Sequence, residues 1–278
     1  MLIWGVTLLS VLAALGLCLG TNAFSDTSWL WMLPAGFVGA FLILALLAFL
    51  FFWAACAVVR LDKPQEKDSK FYRFLCRLLA EAALPITGVR MHTQGLEKMP
   101  EEGRFLLVSN HLNEMDPVIL FHYFRKHTMV FVSKRENSSM FMVGKLMHKI
   151  MCPLINREND REALKTILKC IQFIKEDTAS VGIFPEGYIS KDKKLAALKG
   201  GVFKIAQKAQ VPIVVCTLQN THHVFGNARR LKKTDVHLHL VDVIPASELQ
   251  GVTTVDIAHR VHKLMADDLG PELVAQGE

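Results

Sequence analysis

The sequence predicts an α/β fold: a layered domain with a largely parallel sheet, preceded by an N-terminal hydrophobic helical hairpin. Three observations predict it. Two long apolar runs open the chain. From about residue 87, short apolar runs alternate with segments of helical period, the pattern of strand and helix layers. Charge is segregated as well. Residues 1–60 hold one acid, Asp26, and one base, Arg60, and the other residues hold 31 Lys+Arg and 25 Asp+Glu, so the whole net charge of +6 lies C-terminal. The chain divides accordingly into a membrane-anchoring hairpin (1–60), a basic linker with an amphipathic helix (61–86) and a main domain (87–278).

The two runs cover residues 2–20 and 33–59. A spanning helix needs roughly 20 apolar residues, and each run is long enough. Asn22 to Ser28 forms a polar turn between them, with Trp29 and Trp31 suited to a membrane interface. After the second run come Arg60, Lys63, Lys67, Lys70, Arg73 and Arg77, so positive-inside bias puts the C-terminal domain on the cytosolic side. A cleaved signal peptide does not fit: the first run has no basic residue before it, no A-x-A site near its end, and Leu17 rather than a small residue before Cys18. Spanning and dipping hairpins both satisfy these features.

Residues 71–84 read as an amphipathic helix, with Arg73, Arg77 and Glu81 four apart on one face. Packing on its own domain and seating on a membrane surface both fit. Beyond it the expected strands are Phe105–Ser109, Met129–Ser133, Cys152–Asn156, Val181–Phe184, Val211–Leu218 and Val236–Val243. The expected helices are 160–175, opened by an Asn159/Glu162 capping box, Gly201–Gln210 and Thr254–Asp268. Met-rich residues 138–151 read as one apolar helix face, and Gly270 onward as a loose tail.

Composition excludes several function classes. The densest cationic cluster, Arg229, Arg230, Lys232 and Lys233, comes with no nucleic-acid-binding signature, so no nucleic-acid partner is expected. Six cysteines are scattered without a C-x-x-C pair, as reduced core thiols rather than a disulfide or zinc framework. His222/His223 and His237/His239 are paired, but no carboxylate or cysteine completes a metal set, and no metal site is expected.

The sharpest motif is Ser109-Asn110-His111-Leu112-Asn113-Glu114-Met115-Asp116-Pro117. His and Asp five apart also occur at His237–Asp242 and His262–Asp267, so spacing alone selects nothing. On a strand an odd offset puts the residues of the first of these on opposite faces. On a helix those of the second lie roughly 140° apart. Only His111 and Asp116 fall at a strand-to-helix turn that can fold them together. There a carboxylate on one imidazole nitrogen leaves the other free to take a proton; an N-capping cluster also fits these residues. Next, Phe184-Pro185-Glu186-Gly187 holds an acid at a strand tip. Lys199 precedes the pair Gly200-Gly201, a turn that can either bring an anion close to backbone N–H groups or simply reverse the chain. Arg157 ends another expected strand and is a further candidate anion reader.

In this order the motifs resemble the glycerophospholipid acyltransferase family, to which the 1-acylglycerol-3-phosphate acyltransferases belong. Its N-H-x4-D block is matched by Asn110, His111 and Asp116, and the arginine of its second block by Arg157. F-P-E-G-T-R-S is matched by Phe184 to Gly187 and Ser190, F-K-x-G loosely by Leu198, Lys199 and Gly201, and an apolar V-P-I-V strand by Val211 to Val214. The resemblance covers roughly residues 85–245 and implies an acyltransferase domain. His111, oriented by Asp116, would be the base that activates the hydroxyl of a lysophospholipid, 1-acylglycerol-3-phosphate above all, for attack on the thioester of acyl-CoA or acyl carrier protein. Asn110, Arg157, Glu186, Gly187 and Lys199 would bind substrate, in a membrane, with no cofactor. Tyr188-Ile189 replaces the family's Thr-Arg, an arginine expected to face the acceptor phosphate. Another lysolipid, glycerol phosphate or an amino-lipid therefore stands as a second acceptor reading. A non-catalytic acyl-thioester or lipid-binding module and a thioesterase are further alternatives.

Overall fold

A computed structural model describes residues 2–275. The apolar runs form α1 (Leu2–Gly20) and α2 (Trp29–Ala57). They pack on each other through small residues, Ser10, Ala14 and Cys18, which are fully or almost fully buried, while leucines and phenylalanines of both helices point outward. Both helices are long and apolar enough to cross a membrane. The second begins four residues before the apolar run, so Trp29 and Trp31 lie in its first turn.

The main domain continues through α3 (Lys70–Ile86), β1 (Val89–Gln94), β2 (Leu106–Ser109), α4 (Asp116–Tyr123), β3 (Met129–Phe131), β4 (Ser133–Lys134) and α5 (Val143–Lys149). Then follow β5 (Leu154–Ile155), α6 (Asp160–Lys175), β6 (Ser180–Ile183), α7 (Lys204–Ala209), β7 (Ile213–Gln219), α8 (Val224–Arg229), β8 (Thr234–Ile244) and α9 (Thr254–Leu269). Six strands form one sheet in the order β1-β8-β7-β2-β6-β3. Every pairing in it is parallel except β7 with β8, so the sheet is largely parallel as expected.

The central strands are mostly apolar, and buried at all positions but Gln219, because both of their faces are covered. Leu106 and Val108 of β2 pack with α6, α7 and α9. Phe105 and Leu107, alternating with them, pack on the other face with Ala80 and Leu84 of α3 and Ile119 and Leu120 of α4. The core thus reaches back into the segment assigned from sequence to a linker. β2 is flanked by β7 and β6, which places its C-terminal tip at the middle of the domain's edge, where open α/β sheets gather ligand-binding groups.

Four expectations change. The apolar run 152–156 yields only Leu154–Ile155, paired with Ser133–Lys134 in a separate two-stranded sheet. Arg73 does not face water or lipid: its guanidinium is buried, donating to Asp68 Oδ1 and Oδ2 at 2.7 Å and to the carbonyl of Met129 at 2.8 Å. The Met-rich stretch is a helix only over α5, and Met142 before it has a positive φ of 57°. Beyond Gly270 the chain is pinned rather than loose: Leu195 N–H donates to the Leu273 carbonyl at 2.8 Å, and Ala275 N–H to that of Leu195 at 3.0 Å.

Candidate active site

The site forms where β2 and β6 end side by side. Pro117 opens α4 with its fixed φ, and Asp116 occupies the first helical turn. The Asp116 carboxylate is fully buried, and one oxygen, Oδ2, collects three donors: Leu112 N–H at 2.6 Å, Asn113 N–H at 2.8 Å and His111 Nδ1 at 2.9 Å. The aspartate does not cap the helix, whose N-cap Met115 has no side-chain bond; it braces the turn before it and orients the imidazole. Once Nδ1 carries the proton given to Asp116, Nε2 is the basic nitrogen. It has no hydrogen-bond partner among the described residues. The ring lies flat on Phe184, with centroids 4.0 Å apart and planes 15° from parallel.

Glu186 is nearly fully buried at the tip of β6. Its Oε1 accepts from His111 N–H at 2.7 Å and its Oε2 from Ala196 N–H at 3.0 Å. The His111 carbonyl accepts from Ser190 N–H at 3.0 Å. Burial pushes the Glu186 carboxyl up to about 7, opposed by those two backbone donors, with the charges of Asp116 and Asp192 adding to the rise. Glu186 therefore holds the backbone of His111, with both carboxylate oxygens engaged by backbone N–H groups. Asn110 departs from expectation in the same way. Its buried amide bonds both ways with the backbone of Leu218 on β7, at 2.9 and 2.8 Å. Both residues fix the position of His111.

Arg157, Gly187 and Lys199 come together as cleft residues, on one side of a cleft of about 450 Å³ that Phe184 also lines. Val132, Ile155, Ile167 and Ile183 give it an apolar wall, and Lys204 adds a third cation. Gly187 has φ +84°, and a Cβ there would lie 3.0 Å from Lys199 Cε. Glycine is required for both the backbone and the passage of that lysine. Burial holds Arg157 below its ordinary value, opposed by Glu136. Of the paired glycines, Gly201 lines the cleft, whereas a Cβ on Gly200 would lie 3.0 Å from the Thr254 carbonyl oxygen, so Gly200 serves packing against α9.

Sequence reasoning missed Phe184 as a stacking partner and Lys204 as a cleft cation. Phe184 stood within the Phe-Pro-Glu-Gly motif; Lys204 carried no signal. His222 is half-buried: its Nδ1 is enclosed without a hydrogen-bond partner among the described residues, and burial holds its pKa below the usual histidine value, with His223 and Lys193 adding to the depression and Asp116 opposing it. Among the described residues no group of three or more His, Cys, Asp or Glu can hold a metal.

This geometry is joined by independent similarity. Residues 90–219 match the family model described as Acyltransferase. The chain is 30% identical over 177 residues to a probable 1-acyl-sn-glycerol-3-phosphate acyltransferase of Mycoplasma pneumoniae, covering 62% of this chain and 64% of that protein. It is 27% identical to the 1-acyl-sn-glycerol-3-phosphate acyltransferase of Borreliella burgdorferi, covering 63% of this chain and 71% of that protein. In fold it resembles the crystal structure of the 1-acyl-sn-glycerophosphate (LPA) acyltransferase PlsC from Thermotoga maritima, with a TM-score of 0.60 at 18% identity, covering 74% of this chain and 81% of the other.

Proposed function

We propose that this chain is a membrane-anchored O-acyltransferase. In this reading it moves a fatty acyl group from the thioester of acyl-CoA or acyl carrier protein to the hydroxyl of a lysophospholipid, with 1-acylglycerol-3-phosphate as the acceptor and phosphatidate as the product. The observation that carries the reading is the His111–Asp116 pair at the tip of β2, with Nε2 of His111 unpartnered among the described residues. As the acceptor hydroxyl attacks the thioester carbonyl, His111 Nε2 takes its proton and Asp116 stabilises the imidazolium. When the tetrahedral intermediate collapses, the carbon–sulfur bond breaks and the imidazolium returns the proton to the leaving thiolate. A thioester is already a reactive acyl donor, so one positioned base and a bound acceptor suffice.

The names of the relatives support this acceptor. So does the cleft, because Arg157, Lys199 and Lys204 offer charge-assisted donors to a phosphate monoester beside an apolar wall. They supply cationic donors although Tyr188-Ile189 stands where the family has Thr-Arg. The hairpin α1–α2 would hold the enzyme in its lipid substrate, with the domain on the cytosolic side as the basic residues after α2 direct.

The test is purified protein in detergent with one acyl thioester and a panel of lysolipid acceptors, read by lipid mass spectrometry. Wild type is expected to prefer lysophosphatidate over a zwitterionic lysolipid. Arg157→Ala and Lys199→Ala should raise the acceptor KM or lower kcat/KM while leaving the thioester KM alone. Preference for the zwitterionic lipid, or unchanged selectivity in both variants, would replace this acceptor with another. Release of free fatty acid without lipid acylation would mark a thioesterase instead.

A further inference from the structure

Between the 3-10 turn Arg135–Ser139 and α5 the chain projects a short apolar tongue, Met140-Phe141-Met142-Val143. Phe141 is 68% exposed, and Met140 and Val143 are exposed as well. Met142 is different. Its φ of 57° is a conformation that L side chains rarely adopt, and it turns this residue inward, against Phe52, Cys56, Leu75 and Leu146. Cys56 Sγ also lies 4.0 Å from the Met142 carbonyl oxygen, as a weak donor. The tongue is therefore tied to the last turn of α2, which ends at Ala57. Its neighbours Met140 and Phe141 point away from the protein at that level.

Two exposed aromatics stand at the same end of the anchor. Phe71 of α3 meets Phe51 of α2 edge to face, with centroids 6.5 Å apart, and Phe74 lies one turn further on. Tyr72 beside them donates its hydroxyl to the Ala55 carbonyl at 2.8 Å. Lys145 and Lys149 follow on α5, and Lys67 and Lys70 lie in and just after the linker. Apolar tips backed by lysines match the layering of a bilayer, with hydrocarbon below and anionic headgroups above.

We infer that the 140–143 tongue, with Phe71 and Phe74, is a second membrane contact, in which Phe141 inserts at the hydrocarbon edge of an anionic bilayer. The inference rests on the reading that α1 and α2 lie in the bilayer. The patch is continuous with the exposed apolar surface of α2, and a residue tied to Cys56 sits at the depth of the helix's last turn. Insertion has a consequence for the site. The excursion from β3 through the tongue returns through β5 to Arg157, so seating the tongue fixes the cationic wall of the cleft relative to the lipid surface. A lysolipid could then reach that wall without leaving the bilayer for water.

The experiment uses the full chain in vesicles of phosphatidylcholine and phosphatidylglycerol. The photoreactive amino acid benzoylphenylalanine is incorporated singly at position 46 in α2, at 141, or at 255 on α9, which packs on the opposite face of the sheet from α3. After irradiation, lipid adducts are read by mass. Adducts at 46 and 141 but not at 255 are expected. An adduct at 46 and none at 141 would overturn the tongue contact while leaving the anchor intact; none at either position would overturn both. Phe141→Asp adds a functional readout. Acyl transfer to a vesicle-held acceptor should fall roughly threefold to tenfold, while transfer to a short-chain, water-soluble acceptor stays unchanged. Equal loss with both acceptors would mean a folding defect and would count against the proposal.

Discussion

Of the histidine–aspartate pairs among the described residues, one, His92–Asp235, is exposed, and the other two differ in almost everything but their hydrogen bond. His111–Asp116 sits at a strand tip, with Asp116 fully buried and Nε2 of the histidine unpartnered among the described residues. His239–Asp268 sits midway along β8, on the sheet face that α9 covers. The Asp268 carboxylate takes short hydrogen bonds from His239 Nδ1 and the buried Thr217 hydroxyl, so its three groups tie the end of α9 to β7 and β8. The contrast shows that an imidazole on a carboxylate is not in itself a site. The strand-tip pair differs in its surroundings: it lies where the flanking strands end, and the Phe184 ring beneath the imidazole also lines a cationic cleft.

Four perturbations would break or sharpen that contrast. The largest effect is expected from Asp116→Asn, which removes the charge that orients His111 and stabilises its protonated form. Acyl transfer should fall about 10²–10⁴-fold, the range for a positioned acid–base group, with the thermal transition nearly retained. Comparable activity in this variant, measured by single-turnover acyl transfer, would leave the pair as only a brace for the turn before α4. Asp268→Ala should do the reverse. It should lower stability by about 1.5–3 kcal/mol, as expected for lost hydrogen bonds to a charged group, and leave kcat within about twofold. Denaturant unfolding and the same kinetic assay separate the two results.

Glu186 gives a smaller, pH-dependent effect. Its folded pKa, about 7, is raised above the ordinary carboxyl value. The folded state thus binds the proton more tightly than the unfolded chain does. The stabilisation from this group is fully present below the unfolded value and is lost as pH rises through about 7. Wild type should lose thermal stability between roughly pH 4.5 and 7, and Glu186→Gln, which cannot ionise, should lose less across that window. An identical pH slope in both proteins would contradict the assignment. Smallest is Lys204→Ala, which removes one cleft cation of three. The acceptor KM should rise about threefold to tenfold, the scale of one partly exposed charge-assisted contact, with no change in the thioester KM.

The sequence made the central strands and the hairpin legible because both are continuous apolar runs, and α6 legible because its stripe and its N-cap agree. Asn159 does accept from the N–H group of Glu162, and Thr253, which the sequence reading did not single out, caps α9 in the same way by accepting from Asp256 N–H. β1 escaped because it is an edge strand, VRMHTQ, largely exposed and paired with residues of β8 roughly 145 positions away. Arg73 misled because helical period identifies a polar face but not its partners, which come from Asp68 and from distant carbonyls. At the site, the residues with chemical character were legible and their division of labour was not. Asn110 and Glu186 stand in the motifs beside His111, yet they bond backbone atoms of Leu218, His111 and Ala196. The His239–Asp268 pair spans 29 residues, and none of the five-residue spacings in the sequence pointed to it.

One measurement tests the central claim most directly: acyl transfer by His111→Ala and His239→Ala, purified in the same detergent and assayed together for transfer from one thioester to lysophosphatidate. If the strand-tip imidazole is the base, His111→Ala should lose about 10²–10⁴-fold of the wild-type rate and keep its fold, and His239→Ala should stay within a few-fold of wild type. A large share of the wild-type rate in His111→Ala, or an equal loss in both variants, would contradict the account.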